Sequence, residues 1–129
     1  MIGELFGNKK VKQEFTCSED NLSRLEIKVA TYMRKNKGIL RLSLFEKNGA
    51  SVGYQNFPME SLADNSWLSF AFNNLPKSKG KSYILYIQGI NARIGSSVTC
   101  YFSHGHDFGK LLLNNTIFKG SLNLKLFSS

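Results

Sequence analysis

Apolar and polar residues alternate with period two along most of this chain. After the cue Asp20-Asn21-Leu22-Ser23, Leu25, Ile27 and Val29 fall on one face and Arg24, Glu26 and Lys28 on the other. After Asp64-Asn65-Ser66-Trp67, Leu68, Phe70 and Phe72 share a face. Asp and Asn suit corners because their side chains bond nearby backbone groups. The alternation that follows marks a half-buried strand. It predicts strands over 4–6, 11–17, 22–32, 39–46, 51–57, 67–72, 82–88, 97–102, 111–118 and 122–127. Further inward stripes are Leu40, Leu42 and Leu44; Tyr83, Leu85 and Ile87; Val98, Cys100 and Phe102; and Leu122, Leu124 and Leu126. Ile39, Phe45, Ile84 and Tyr86 lie on opposite faces, to be covered by loops or a partner.

Turn formers separate the strands. Asn48-Gly49 predicts a short hairpin turn, Lys119-Gly120 predicts pairing of the last two strands, and 59–63 predicts a helical turn before the Asp64 corner. Short strands at even spacing predict an all-β fold of two antiparallel sheets packed face to face. At 129 residues the chain reads as a single domain, 1–129, with room for one substantial core. An excised piece of a longer protein would read the same way.

Charge adds one feature. There are 17 Lys and Arg against 9 Asp and Glu, a net charge of +8, which permits attraction to anionic polymers or surfaces. The clusters Lys9-Lys10-Lys12, Arg34-Lys35-Lys37 and Lys77-Lys79-Lys81 fall in expected turns, where solubilising loops are the plainer reading. Cys17 and Cys100 sit among apolar neighbours, as core thiols do; sequence does not give their separation, so a bridge stays open. No apolar run reaches the roughly 20 residues of a membrane span, and the first ten residues lack the order of a secretory signal. The expected location is the cytoplasm, or a membrane surface reached through a parent protein.

Catalytic chemistry is sparse. Gly80-Lys81-Ser82 imitates the end of a phosphate-binding loop, but Leu75 stands where the loop needs glycine and a strand follows; a basic hairpin turn is expected. His104-Gly105-His106-Asp107 gathers metal-ligand types, yet no other His exists to complete a structural site. No nucleophile elbow is present. The expectation is a protein that is not an enzyme and uses neither cofactor nor metal. Sequence-specific nucleic-acid binding is also not expected, because Tyr83 and Tyr86 point to opposite faces. Aromatics near strand ends, namely Tyr32, Tyr54, Trp67, Tyr101 and Phe108, suit sugar C–H faces, with Arg34, Asn36, Gln55 and Arg93 as polar partners. Filling the core or its rim is the alternative role for each ring.

The order of several motifs carries a family likeness. Gly3-Glu4, Val11-Lys12-Gln13-Glu14-Phe15 and Asp20-Asn21-Leu22-Ser23-Arg24-Leu25 are followed by Ala30-Thr31-Tyr32-Met33-Arg34-Lys35-Asn36 and Gly38-Ile39-Leu40. Asp64-Asn65-Ser66-Trp67-Leu68-Ser69-Phe70, Lys79-Gly80-Lys81-Ser82-Tyr83 and Ser97-Val98-Thr99 complete it. Over residues 3–102 the chain resembles the galactose-binding-like β-sandwich accessory domain attached to bacterial glycosyltransferases and other surface-polysaccharide proteins. The resemblance implies a jelly-roll-like sandwich and a non-catalytic, carbohydrate-associated role beside a parent or associated glycosyltransferase. Its shared residues mark Tyr32, Arg34 and Asn36 as the first expected saccharide edge, with Asp64 and Trp67 second. Asp20-Asn21 and Asp64-Asn65 are expected to fix corners, and Gln13 to satisfy buried backbone groups. The alternatives are a structural or oligomerisation module and a basic module for anionic polymers or membrane surfaces.

Overall fold

The computed structural model describes residues 2–5, 7, 9–93, 95, 97–103, 109–114, 116–118 and 120–129. The fold is an antiparallel β-sandwich. One sheet has six strands in the order β10-β9-β1-β6-β3-β4: β1 (Lys10–Thr16), β3 (Ile39–Glu46), β4 (Ser51–Pro58), β6 (Ser82–Ile90), β9 (Leu111–Leu113) and β10 (Thr116–Phe118). In the other, β2 (Leu22–Ala30) lies between β5 (Ser66–Leu75) on one edge and β12 (Leu124–Ser128) with β7 (Thr99–Cys100) on the other. β8 (Phe102–Ser103) pairs with β11 (Ser121–Leu122) beside them. One apolar core lies between the sheets.

The period-two stripes place that core. Leu40, Leu42 and Leu44, Leu25, Ile27 and Val29, and Tyr83, Leu85 and Ile87 are all buried. Phe70, Val98, Cys100, Leu122 and Leu124 join them, with Leu68, Phe72, Phe102 and Leu126 packed at its margin. Cys17 and Cys100 are buried and free, as core thiols; burial pushes the Cys100 thiol up to about 12, so it stays protonated.

Several elements differ from the sequence pattern. The strand expected over 111–118 is two strands that pair with each other, turned at Asn114, whose φ of 48° is left-handed. Asn114 suits that turn because Asn tolerates the left-handed region. The last two strands do not pair: β11 joins β8 and β12 joins β2. The basic turn after Leu75 is a crossover between sheets rather than a hairpin, since β5 and β6 belong to different ones. The 39–46 and 51–57 pair does form the hairpin expected at Asn48-Gly49, where Asn48 Oδ1 accepts from Ala50 N at 2.9 Å. The helical turn is a single 3-10 turn, Met59–Ser61.

The segment expected as a strand at 4–6 is irregular over its described residues. It is strapped down instead: Ile2 N donates to Cys100 O and Leu5 N to Val98 O, at 3.0 and 2.9 Å. Gly89 lets this strap approach β6, because a Cβ there would sit 2.0 Å from the Leu5 carbonyl oxygen.

Gln13 is the one fully buried amide on the inward side of β1. Its Oε1 accepts from Leu122 N at 2.8 Å, while Nε2 donates to Glu14 O at 2.7 Å and Gly109 O at 3.3 Å. The expectation that Gln13 serves buried backbone groups holds. Leucine has a similar length but cannot serve them, and a stranded buried N–H costs about 1–3 kcal/mol. Gln13→Leu is therefore expected to lower unfolding free energy by about 2 kcal/mol in urea titration. A variant as stable as the parent would show that the amide is dispensable.

Candidate functional site

Tyr32, Arg34 and Asn36, expected at a saccharide edge, form a tight corner, and Asp64 belongs to it. β2 stops at Ala30, two residues before the expected end, because Tyr32 and Met33 turn left-handed at φ 58° and 57°. For residues with a Cβ that conformation costs about 1–2 kcal/mol each. Neighbours hold it in place. Asp64 Oδ1 accepts from Thr31 N at 2.7 Å, and Asn36 Nδ2 donates to Thr31 O at 2.9 Å. Asn36 Oδ1 takes Arg34 Nε at 2.8 Å. Arg34 Nη2 pairs with Glu4 Oε1 and donates to Ser97 O at 3.2 Å, while its guanidinium stands 4.7 Å from the Tyr32 ring centre.

This geometry divides the roles. Asn36 is fully buried and its polar atoms are engaged within the protein, so it braces the corner and presents nothing to solvent. Tyr32 and Arg34 remain partly exposed, and Met33 stands 86% exposed at the tip. The two Asp-Asn corners are built alike: Asn21 and Asn65 are left-handed, Asp64 caps Thr31, and Asp20 Oδ1 accepts from Lys79 N at 3.1 Å.

Trp67 sits elsewhere, on the outer face of β5 opposite Lys28. Lys125 Nζ lies 4.1 Å from its ring centre, Lys28 Nζ 5.3 Å from that of Tyr101, and the Arg24 guanidinium 3.8 Å from that of Phe127. Glu26 accepts from Arg24 at 2.8 Å and from Ser69 at 2.9 Å. Basic and aromatic groups therefore interleave on this sheet, which the Tyr83 and Tyr86 comparison in the sequence did not anticipate. Phe108 and the His104-Gly105-His106-Asp107 run lie outside the described residues. Arg93 is exposed and its carbonyl accepts from Ser97 Oγ at 2.6 Å.

The outer face of the six-stranded sheet also brings polar and aromatic groups together. Register aligns Lys12, Tyr86, Ser43 and Tyr54 in one row and Lys10, Gln88, Arg41 and Asn56 in the next. Tyr54 is 65% exposed on edge strand β4, with the Arg41 guanidinium 5.1 Å from its ring centre. Arg41 Nε also donates to Asn56 Oδ1 at 2.8 Å. Lys10 Nζ stands 4.1 Å from the Tyr86 ring centre, and Phe45 meets that ring edge-on. Among the described residues of these rows stand three cations, Lys10, Lys12 and Arg41; Glu14, on the same face of β1, lies 3.9 Å from Lys12. Tyr54 was visible in the sequence, and so was Gln55, which lies exposed on the same strand. Arg41, Asn56, Tyr86 and Gln88 were not grouped with them, because the signal is cross-strand register.

No family model matches the chain, and no curated protein matches it significantly. Among the described residues no helix is long and apolar enough to cross a membrane.

The corner's ion pair has a pH signature. The Gly95 N–H on Glu4 Oε2, then Arg34, hold the Glu4 carboxyl below its usual 4.5 against the opposing effect of burial. A carboxylate depressed by folding adds stability above its unfolded value, lost as pH falls through the folded one. Glu4→Gln is thus expected to lower stability by about 1 kcal/mol at pH 7, given its partly exposed partner. In thermal melts the gap from the parent narrows as pH drops below 4.5. A gap that persists unchanged in acid would place the effect elsewhere.

Proposed function

We propose that this protein is a non-catalytic saccharide-binding module, of the kind that accompanies bacterial glycosyltransferases and other surface-polysaccharide proteins. The observation that carries the reading is the Tyr86–Ser43–Tyr54 row on the outer face of the six-stranded sheet. Its two rings flank β3, so they stand about 10 Å apart by strand spacing. An extended glycan laid across the strands meets both rings through its C–H faces. Asn56, Gln88 and Arg41 in the adjoining row offer donors and acceptors to its hydroxyls. Few of these groups need to move to bind, since they stand on strands rather than loops. The likeness over 3–102 supports the glycan context. In this reading Tyr32, Arg34, Asn36 and Asp64 hold the corner, with Tyr32 and Arg34 at the edge of the molecule.

A second reading, a basic module for anionic polymers, is favoured by the outer face of the four-stranded sheet. There Lys28, Lys125 and Arg24 stand over Tyr101, Trp67 and Phe127. Ionic strength separates the two, because contacts between exposed charges are screened within about 10 Å at 0.1 M salt.

Calorimetry against a panel of neutral and acidic surface oligosaccharides tests the first reading. Tyr54→Ala should weaken binding about tenfold, the loss of one ring stacking worth about 1.4 kcal/mol. Its melting temperature should stay within a degree or two, since Tyr54 is 65% exposed. Trp67→Ala should leave affinity intact. The reverse pattern, with binding abolished by moderate salt, would favour the second reading. A panel without a binder would end the first.

A further inference from the structure

At one end of the sandwich, where β5 hands over to β6, there is a cleft of about 300 Å³. Leu75, Pro76 and Tyr83 give it an apolar lining, and Lys77, Lys81 and Glu46 bring charge to it. Tyr83 is 1% exposed and stacks on Phe15, so this wall is continuous with the core.

The turn that carries the two lysines is unusually well fastened for a basic loop. Ser78 is buried; its Oγ accepts from Leu22 N at 3.1 Å and donates to Glu19 O at 2.6 Å. Gly80 N donates to Cys17 O at 2.8 Å, Lys81 N to Ser78 O at 2.9 Å, and Cys17 N to Lys81 O at 2.9 Å. Lys79, between the two, is tied by its own N–H to Asp20. On the opposite wall Lys47 N donates to Ser82 O at 3.1 Å, fixing the end of β3 against β6. A solubilising loop needs none of this. Among the described residues, Lys77, Lys81 and Glu46 form no ion pair. Two lysines and one glutamate therefore line an apolar cleft on a fastened backbone, with no ion pair within 4 Å among the described residues.

We infer that this cleft binds a small hydroxylated anion of about the size of one acidic sugar. Its carboxylate or phosphate group meets Lys77 and Lys81, its ring packs on Leu75 and Pro76, and a hydroxyl donates to Glu46. Lysine suits such a group as a mobile point charge. The volume sits at the lower end of the range for small-molecule sites, about 300–1,000 Å³. The rigid frame lowers the ordering cost of binding. The site shares no residue with the sheet-face row, so either can stand without the other.

The test is an amide-shift titration of the full chain with glucuronate, glucose 6-phosphate, glucose and inorganic phosphate. One or both acidic sugars should move the amides of Leu75, Lys77, Lys81 and Tyr83, and whichever binds tighter identifies the anionic group. The amides of Arg41, Ser43, Tyr54 and Asn56 should stay in place. The double variant Lys77→Gln/Lys81→Gln should weaken binding at least tenfold with an unchanged melting temperature, because both side chains are exposed. Glu46→Gln should lower affinity for the sugars only. Equal shifts from inorganic phosphate would reduce the cleft to general anion attraction and overturn the inference. So would equal shifts from glucose, an unaffected double variant, or no shift from either acid. Movement confined to Arg41, Ser43, Tyr54 and Asn56 would overturn it while leaving the sheet-face reading intact.

Discussion

The sandwich depends on a buried amide set against its apolar core. β1 must bury Val11 and Phe15 to close the six-stranded sheet, and period two then forces Gln13 inward as well. A buried amide is tolerated only when its donors and acceptor are matched. Here the partners come from the neighbouring Glu14 and from Gly109 and Leu122, which flank the strand that returns to pair with β1. One side chain therefore ties the first strand to the last quarter of the chain. With both β1 and this return fixed, β9 can pair along β1 and β12 along β2.

The same logic of matched polar groups separates frame from surface. At the Thr31 corner, Asp64 and Asn36 take the N–H and C=O that a strand ending there leaves free. Their chemistry looks like a binding site in a sequence because capping and ligand recognition use the same residue types. Burial distinguishes them. Asn36 faces inward, whereas Tyr54, Asn56 and Gln55 stand on an exposed edge strand. The surfaces proposed for binding, on the outer sheet face and at the cleft, present exposed side chains instead.

Most strands were legible because their alternation directly records which face is buried. Leu40–Leu42–Leu44 and Leu25–Ile27–Val29 needed no knowledge of partners. The corners were legible too, since Asp-Asn chemistry is local. What failed depends on pairing, the β3–β4 hairpin apart. The apolar run at 111–118 looks like one strand, and only the left-handed Asn114 reveals the reversal. Lys119-Gly120 has hairpin chemistry, yet the strands around it find other partners. Tyr32 follows the alternation of β2 but is bent out of it by tertiary contacts from Asp64 and Asn36. The Tyr86–Ser43–Tyr54 row joins residues from three strands, and the cleft joins β3, β5 and β6. No window of sequence contains either.

The way the strands interleave has a consequence for how the chain acquires its structure. β1 has its neighbours in β6 and β9, and β2 finds β5, β7 and β12, so each early strand waits for partners made much later. Folds dominated by such distant pairings form slowly, in milliseconds to seconds, because loop closure precedes the contacts that reward it. During synthesis at about 5–20 residues per second, the apolar face of β1 lacks its sheet for several seconds. The one early native pairing between neighbours is the β3–β4 hairpin around Asn48-Gly49. That hairpin carries Tyr54, so the most exposed ring of the sheet face belongs to the part of the molecule able to form first.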